Sequence, residues 1–120
     1  MSVQNPNGRL NLVRHVLSYA MTHFIAYYRV STDRQGRSGL GLEAQRATVA
    51  AHLGHGKALK AEFTEIETGK RNDRPELIKA LAECKKQRAC LIIAKLDRLA
   101  RSLHFISGLM ESGIEFVACD

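Results

Sequence analysis

The sequence predicts an α/β domain, a three-layer arrangement with a mostly parallel central sheet. Three observations carry the prediction. Short apolar runs alternate with helix-periodic stretches in the order β-α-β-α-β-α-β from Phe24 to Ala118. The run Ala89–Ala94 is apolar throughout, as a central strand covered on both faces must be. Each pair of successive strands is separated by a helical stretch, the crossover that parallel pairing requires.

Each element follows from its residues. Phe24–Val30 is short, apolar and aromatic, the pattern of a buried strand. Ser31–Gly41 is polar with Gly36, Gly39 and Gly41 in its second half, and reads as a loop. Leu42–Leu53 carries helix formers, with Leu42, Val49, Ala50 and Leu53 apolar, and Gly54 and Gly56 end it. Ala61, Phe63 and Ile66 fit a second strand with imperfect alternation, and Glu67–Arg74 reads as a charged loop. Asp73-Arg74-Pro75-Glu76 looks like a helix start, with Asp73 as cap, Pro75 in the first turn and Glu76 closing a capping box. Leu77, Leu81 and Cys84 form that helix's buried face. After the Ala89–Ala94 strand and the segment Lys95–Arg101, a helix presents Leu99, Leu103, Ile106, Leu109 and Met110 on one side. Gly113 stops it, and Ile114–Ala118 is the last strand.

Residues 1–22 differ from the rest. Met1–Arg9 is polar around Asn-Pro-Asn-Gly, and Leu10–Ala20 has only a weak helical pattern. We read an N-terminal extension, disordered or weakly helical, followed by one domain over 23–120, with Met21 as the natural domain start. A secretory signal fits poorly, because no small-residue cleavage site follows an unbroken apolar core.

Composition narrows the function. A chain of 120 residues supports one compact domain. Its net charge of +6 favours an anionic partner, nucleic acid before an acidic membrane surface. No apolar run approaches the roughly 18 residues that span a bilayer. Cys84, Cys90 and Cys119 are odd in number and unpatterned, which argues against a disulfide framework or a zinc site and for reduced thiols in a cytoplasmic protein. His52 and His55 read as a solvated surface pair, and no metal or small-molecule cofactor is expected.

The chemistry gathers at strand ends. In parallel sheets, sites collect at the carboxyl edge. Ser31 follows the first strand, the Glu67–Arg74 segment the second, and Lys95–Arg101 the third. Arg29 lies two residues before Ser31 and shares its side of the strand. Arg98 and Arg101 are neighbours on a helix face, and Arg74 sits at a helix entry where an anion meets free backbone N–H groups. A hydroxyl among guanidinium forks suits attack on a phosphodiester, because the forks match the oxygens on which charge builds. Asp97 either holds these arginines or moves a proton. No histidine stands beside Ser31, so no Ser-His-Asp triad is expected, and His104 reads as a helix-surface residue.

These residues resemble a known family. Tyr28-Arg29-Val30-Ser31, Gln45, Thr68-Gly69, Asp73-Arg74-Pro75 and Lys95-Leu96-Asp97-Arg98-Leu99-x-Arg101-Ser102 are similar to the signatures of the serine recombinases, the resolvase/invertase family. The resemblance is to the N-terminal catalytic domain and runs from about Phe24 to Asp120. It implies a resolvase-like fold, a site-specific recombinase activity on double-stranded DNA, and Ser31 as the nucleophile forming a 5′-phosphoserine link. It further implies that Arg29, Arg74, Arg98 and Arg101 bind the reacting phosphate, that Asp97 is the active-site aspartate, and that Gln45 supports the site. Neither ATP nor a metal is implied, and the full-length protein is expected to form dimers or tetramers.

Family members continue into a long dimerisation helix and a DNA-binding domain, so the chain reads as truncated before both. That keeps an inactive recombinase fragment as one alternative. A flavodoxin-like module binding a phosphate ligand is another, although the Walker lysine pattern and dinucleotide spacing are missing. The target site, and the outcome as resolution, inversion, integration or transposition, stay open.

Overall fold

The computed structural model describes residues 21–31, 41–67, 74–95 and 103–119, with side chains from residue 107 on in the last segment. The order is β1 (His23–Ser31), α1 (Leu42–Leu53), β2 (Ala58–Glu67), α2 (Pro75–Gln87), β3 (Cys90–Ile93), α3 (Leu103–Ser112) and β4 (Phe116–Ala118). The four strands form one sheet in the order β2-β1-β3-β4, and every pairing is parallel.

The pleat of β1 divides the core. Phe24, Ala26 and Tyr28 face one way and pack with Val49 and Leu53 of α1 and with Cys90 and Ile92 of β3. Ile25 and Tyr27 face the other way, with Leu77, Ala80 and Cys84 of α2, Leu91 and Ile93 of β3, and Leu109 of α3. A strand with helices on both faces must be apolar at successive positions, which is why Phe24 to Tyr28 are all buried. The result is the three-layer parallel α/β architecture expected from the sequence.

Several boundaries and faces differ from the sequence-based expectation. β2 runs through Glu67, so that residue belongs to a strand end rather than to the following loop. The imperfect alternation has a simple cause: Ile66 faces away from the Ala61–Phe63 side and is 57% exposed. Met110 is 49% exposed, whereas the neighbouring Leu109 of α3 is buried. β4 begins at Phe116, two residues later than expected. The predicted Asp73 cap lies outside the described residues. α2 starts at Pro75 with Arg74 in the capping position, and the Glu76 carboxylate pairs with Lys79 at 3.1 Å. Cys84 and Cys90 are buried, Cys119 is half-buried, and none of the three forms a disulfide. Burial pushes the Cys84 thiol up to about 12. Residues 1–20 lie outside the described residues.

Candidate active site

The carboxyl edge of β1 and β2 is where the candidate residues meet. Register pairs Arg29 with Glu65 and Ser31 with Glu67, so these four positions share the face that α2 covers. Ser31 is exposed at the end of β1.

Gln45 fixes the backbone just ahead of it. β3 pairs with β1 only as far as Tyr27, so among the described residues one edge of β1 has no strand neighbour over its last residues. The buried Gln45 amide fills that role. Its Nε2 donates to the Arg29 carbonyl at 2.9 Å, and the Arg29 N–H donates to its Oε1 at 3.3 Å. A primary amide mimics a peptide group, so α1 extends the hydrogen-bond ladder where the sheet stops.

Glu65 joins three elements. Its carboxylate is 6% exposed and accepts from the Tyr27 hydroxyl at 3.0 Å, the Leu77 N–H at 3.1 Å and the Glu76 N–H at 3.3 Å. Both backbone donors lie in α2's first turn; the Leu77 N–H is shared with the Arg74 carbonyl, and a buried anion there also meets the positive end of the helix dipole. This carboxylate, supplied from β2, caps the first turn of α2 from a residue distant in sequence.

Arg74 follows from the same junction. It adopts a left-handed conformation, φ 46° and ψ 63°, at the entry to α2, and its carbonyl accepts from Leu77 and Ile78. Such backbone is uncommon for a side chain with a Cβ and costs about 1–3 kcal/mol. The Tyr27 hydroxyl is driven far above the ordinary tyrosine range, first by burial and then by the Glu65 carboxylate. Arg29 and Arg74 pull it back down, so both guanidinium charges lie within electrostatic reach of that phenol.

The arginines are not left to repel each other. Arg29 Nη2 pairs with Glu67 Oε2 at 2.8 Å, with the two side chains 13% and 43% exposed. Its Nε is buried with no hydrogen-bond partner among the described residues. The structure thus brings together Ser31, Arg29, Arg74 and Gln45. Asp97, Arg98 and Arg101 lie outside the described residues, as does the 32–40 loop.

Sequence reasoning missed Tyr27, Glu65 and Glu67. A signal for the glutamates was present: both continue the period-two series Ala61, Phe63 toward the core-facing side. Among the described residues no group of histidine, cysteine and acidic side chains has metal-binding geometry, and His52 and His55 are both exposed. No helix among the described residues is long and apolar enough to cross a membrane.

A family model described as "Resolvase, N terminal domain" matches residues 24–120. A curated protein named "Resolvase" from Escherichia coli is 32% identical over 98 residues, covering 82% of this chain. The chain spans 37% of that relative's length. No solved structure matches.

Proposed function

We propose that this chain, which belongs to the resolvase N-terminal domain family, is the catalytic domain of a site-specific DNA recombinase that cuts and rejoins strands through Ser31. The observation that carries the reading is the strand-end cluster: the exposed Ser31 on the same face as Arg29, with Arg74 at the adjoining helix entry.

In this reading the Ser31 Oγ attacks a backbone phosphorus. The Oγ–P bond forms, the P–O3′ bond breaks, and a proton ends on the 3′-oxygen. The DNA is left joined to Ser31 through its 5′-phosphate. Attack by another strand's 3′-hydroxyl reverses the step and reseals DNA. Bond energy stays in the protein–DNA link, so two easier steps replace one hard one. Arg29 and Arg74 bind the phosphate oxygens, and Arg98 and Arg101 join them in the assembled site. Asp97 orients those arginines or moves the proton. Gln45 and Glu65 act indirectly, by fixing the strand that carries Ser31 and the helix entry that carries Arg74. The strained backbone at Arg74 agrees with a functional position.

The test is to join this domain to a sequence-specific DNA-binding module and incubate it with a duplex bearing paired half-sites for that module. Wild type is expected to give a denaturant-resistant protein–DNA adduct, with the nucleotide on Ser31 after nuclease digestion. Ser31→Ala is expected to give none. Equal adduct from both proteins, or from neither, refutes the reading.

A further inference from the structure

Glu67 has a second part to play at this edge. The Arg29 guanidinium is largely buried and its fork is only partly satisfied. Nη2 is held by the Glu67 carboxylate at 2.8 Å, while Nε is buried without a partner among the described residues. A phosphate carries enough oxygens to take Nη2 and Nε together, as a bidentate ligand. Glu67 reaches its pairing diagonally across the β1–β2 register, from the last residue of β2, and its side chain is 43% exposed. A carboxylate so exposed, on a strand end, turns to solvent at small cost.

We infer that Glu67 is a displaceable counter-anion for Arg29: it occupies the guanidinium in place of a phosphodiester and yields it when one binds. The inference rests on the reading of this edge as a phosphodiester site. Pairing keeps the buried Arg29 charge compensated and its fork aimed along the strand-end face. It also lowers the positive potential beside Ser31, which limits hold on any stray polyanion. Glu67 is therefore a positioning residue, acting on substrate only through Arg29.

The test uses the full chain and two probes, inorganic phosphate and a short duplex. Phosphate is titrated while the Arg29 Nε–H resonance is followed by NMR, and duplex affinity is measured over a salt series. The variants are Glu67→Gln, Glu67→Ala, Arg29→Gln and the Glu67→Gln/Arg29→Gln pair, each checked for a native melt. Glu111→Gln, an exposed change on α3, controls for net charge alone. Both Glu67 variants are expected to bind phosphate at Arg29 about two- to fivefold tighter than wild type. Their duplex affinity is expected to rise beyond that of the Glu111→Gln control, with a salt slope steeper by up to about 0.9. The gain is expected to vanish without Arg29.

Glu67 variants that match wild type with both probes overturn the inference, as does a gain that persists in the Arg29→Gln background. If phosphate binding tightens while no protein holds duplex, the counter-anion role stands and the DNA reading falls. If duplex binding needs Arg29 but ignores Glu67, the DNA reading stands and the counter-anion role falls.

Discussion

Replacing Gln45 by Met tests how the sheet holds its catalytic-edge strand. The two side chains are close in volume and both suit a helix, so the change leaves no large cavity in α1's buried face. What it removes is the amide that receives the Arg29 N–H and donates to the Arg29 carbonyl. Gln45 is 1% exposed, so water does not reach in to replace it. An orphaned buried backbone group costs about 1–3 kcal/mol. The 2.9 Å bond to the carbonyl sits in the middle of that range and the 3.3 Å bond at its lower end, which gives a loss of about 2–4 kcal/mol. For a domain of this size that is a fall in Tm of about 10 °C or more. The assay is urea unfolding followed by circular dichroism, with the m-value unchanged if the native state stays compact. Gln45→Glu is a companion, because a carboxylate accepts from the N–H but faces the carbonyl with no donor. It is expected to destabilise at neutral pH and to recover as acid protonates it. A loss under about 0.5 kcal/mol for Gln45→Met, with normal folding, refutes the claim that this amide completes the β1 ladder.

Two further outcomes are expected. Glu65→Gln keeps one acceptor and removes the charge, and its NH2 can donate to the Tyr27 hydroxyl but not to the backbone N–H groups of α2, so it is expected to cost about 1–3 kcal/mol in the same urea assay. Wild-type stability in this variant would refute the tertiary cap. In alkaline solution, burial raises the Tyr28 hydroxyl to about 12, with Tyr27 raised further in the same direction. The unfolded tyrosines ionise near 10 while the folded ones stay neutral. The Tyr28 contribution is therefore complete below pH 10 and is lost as pH rises through about 12. Tyr28→Phe is expected to flatten that loss by up to about 1.4 kcal/mol per pH unit, measured as urea midpoints from pH 9 to 12. An unchanged slope would show that Tyr28 is not held neutral.

Periodicity made the fold legible. Leu42–Leu53 is bounded in the structure as the sequence bounds it, because Gly54 closes the helix in a positive-φ conformation that needs no tertiary help. The buried runs of β1 and β3 identify themselves, since only a strand covered on both faces is apolar at consecutive positions. β2 was harder. It lies at the sheet's edge, so only one of its faces is closely packed, and Ile66 on the other face blurs the pattern. The start of α2 at Pro75 follows the local sequence, but one of its partners does not. No local rule points to the buried Glu65 carboxylate of β2, which accepts from the Glu76 and Leu77 N–H groups.

Local order along the chain determined which segments are strands and helices, and the crossover rule then made the sheet parallel and put the end of β1, with Ser31, and the entry of α2, with Arg74, at one edge. The family signature was equally a property of the string, because it consists of residue types at fixed spacing. Tertiary structure alone decided the partners: Gln45 on the Arg29 backbone, Glu65 on the entry of α2, and Glu67 on the Arg29 fork. Each of these contacts joins residues 11 to 38 positions apart. At that distance no periodicity relates the two residues, and only the strand register, set by how the whole core packs, brings them within hydrogen-bond reach.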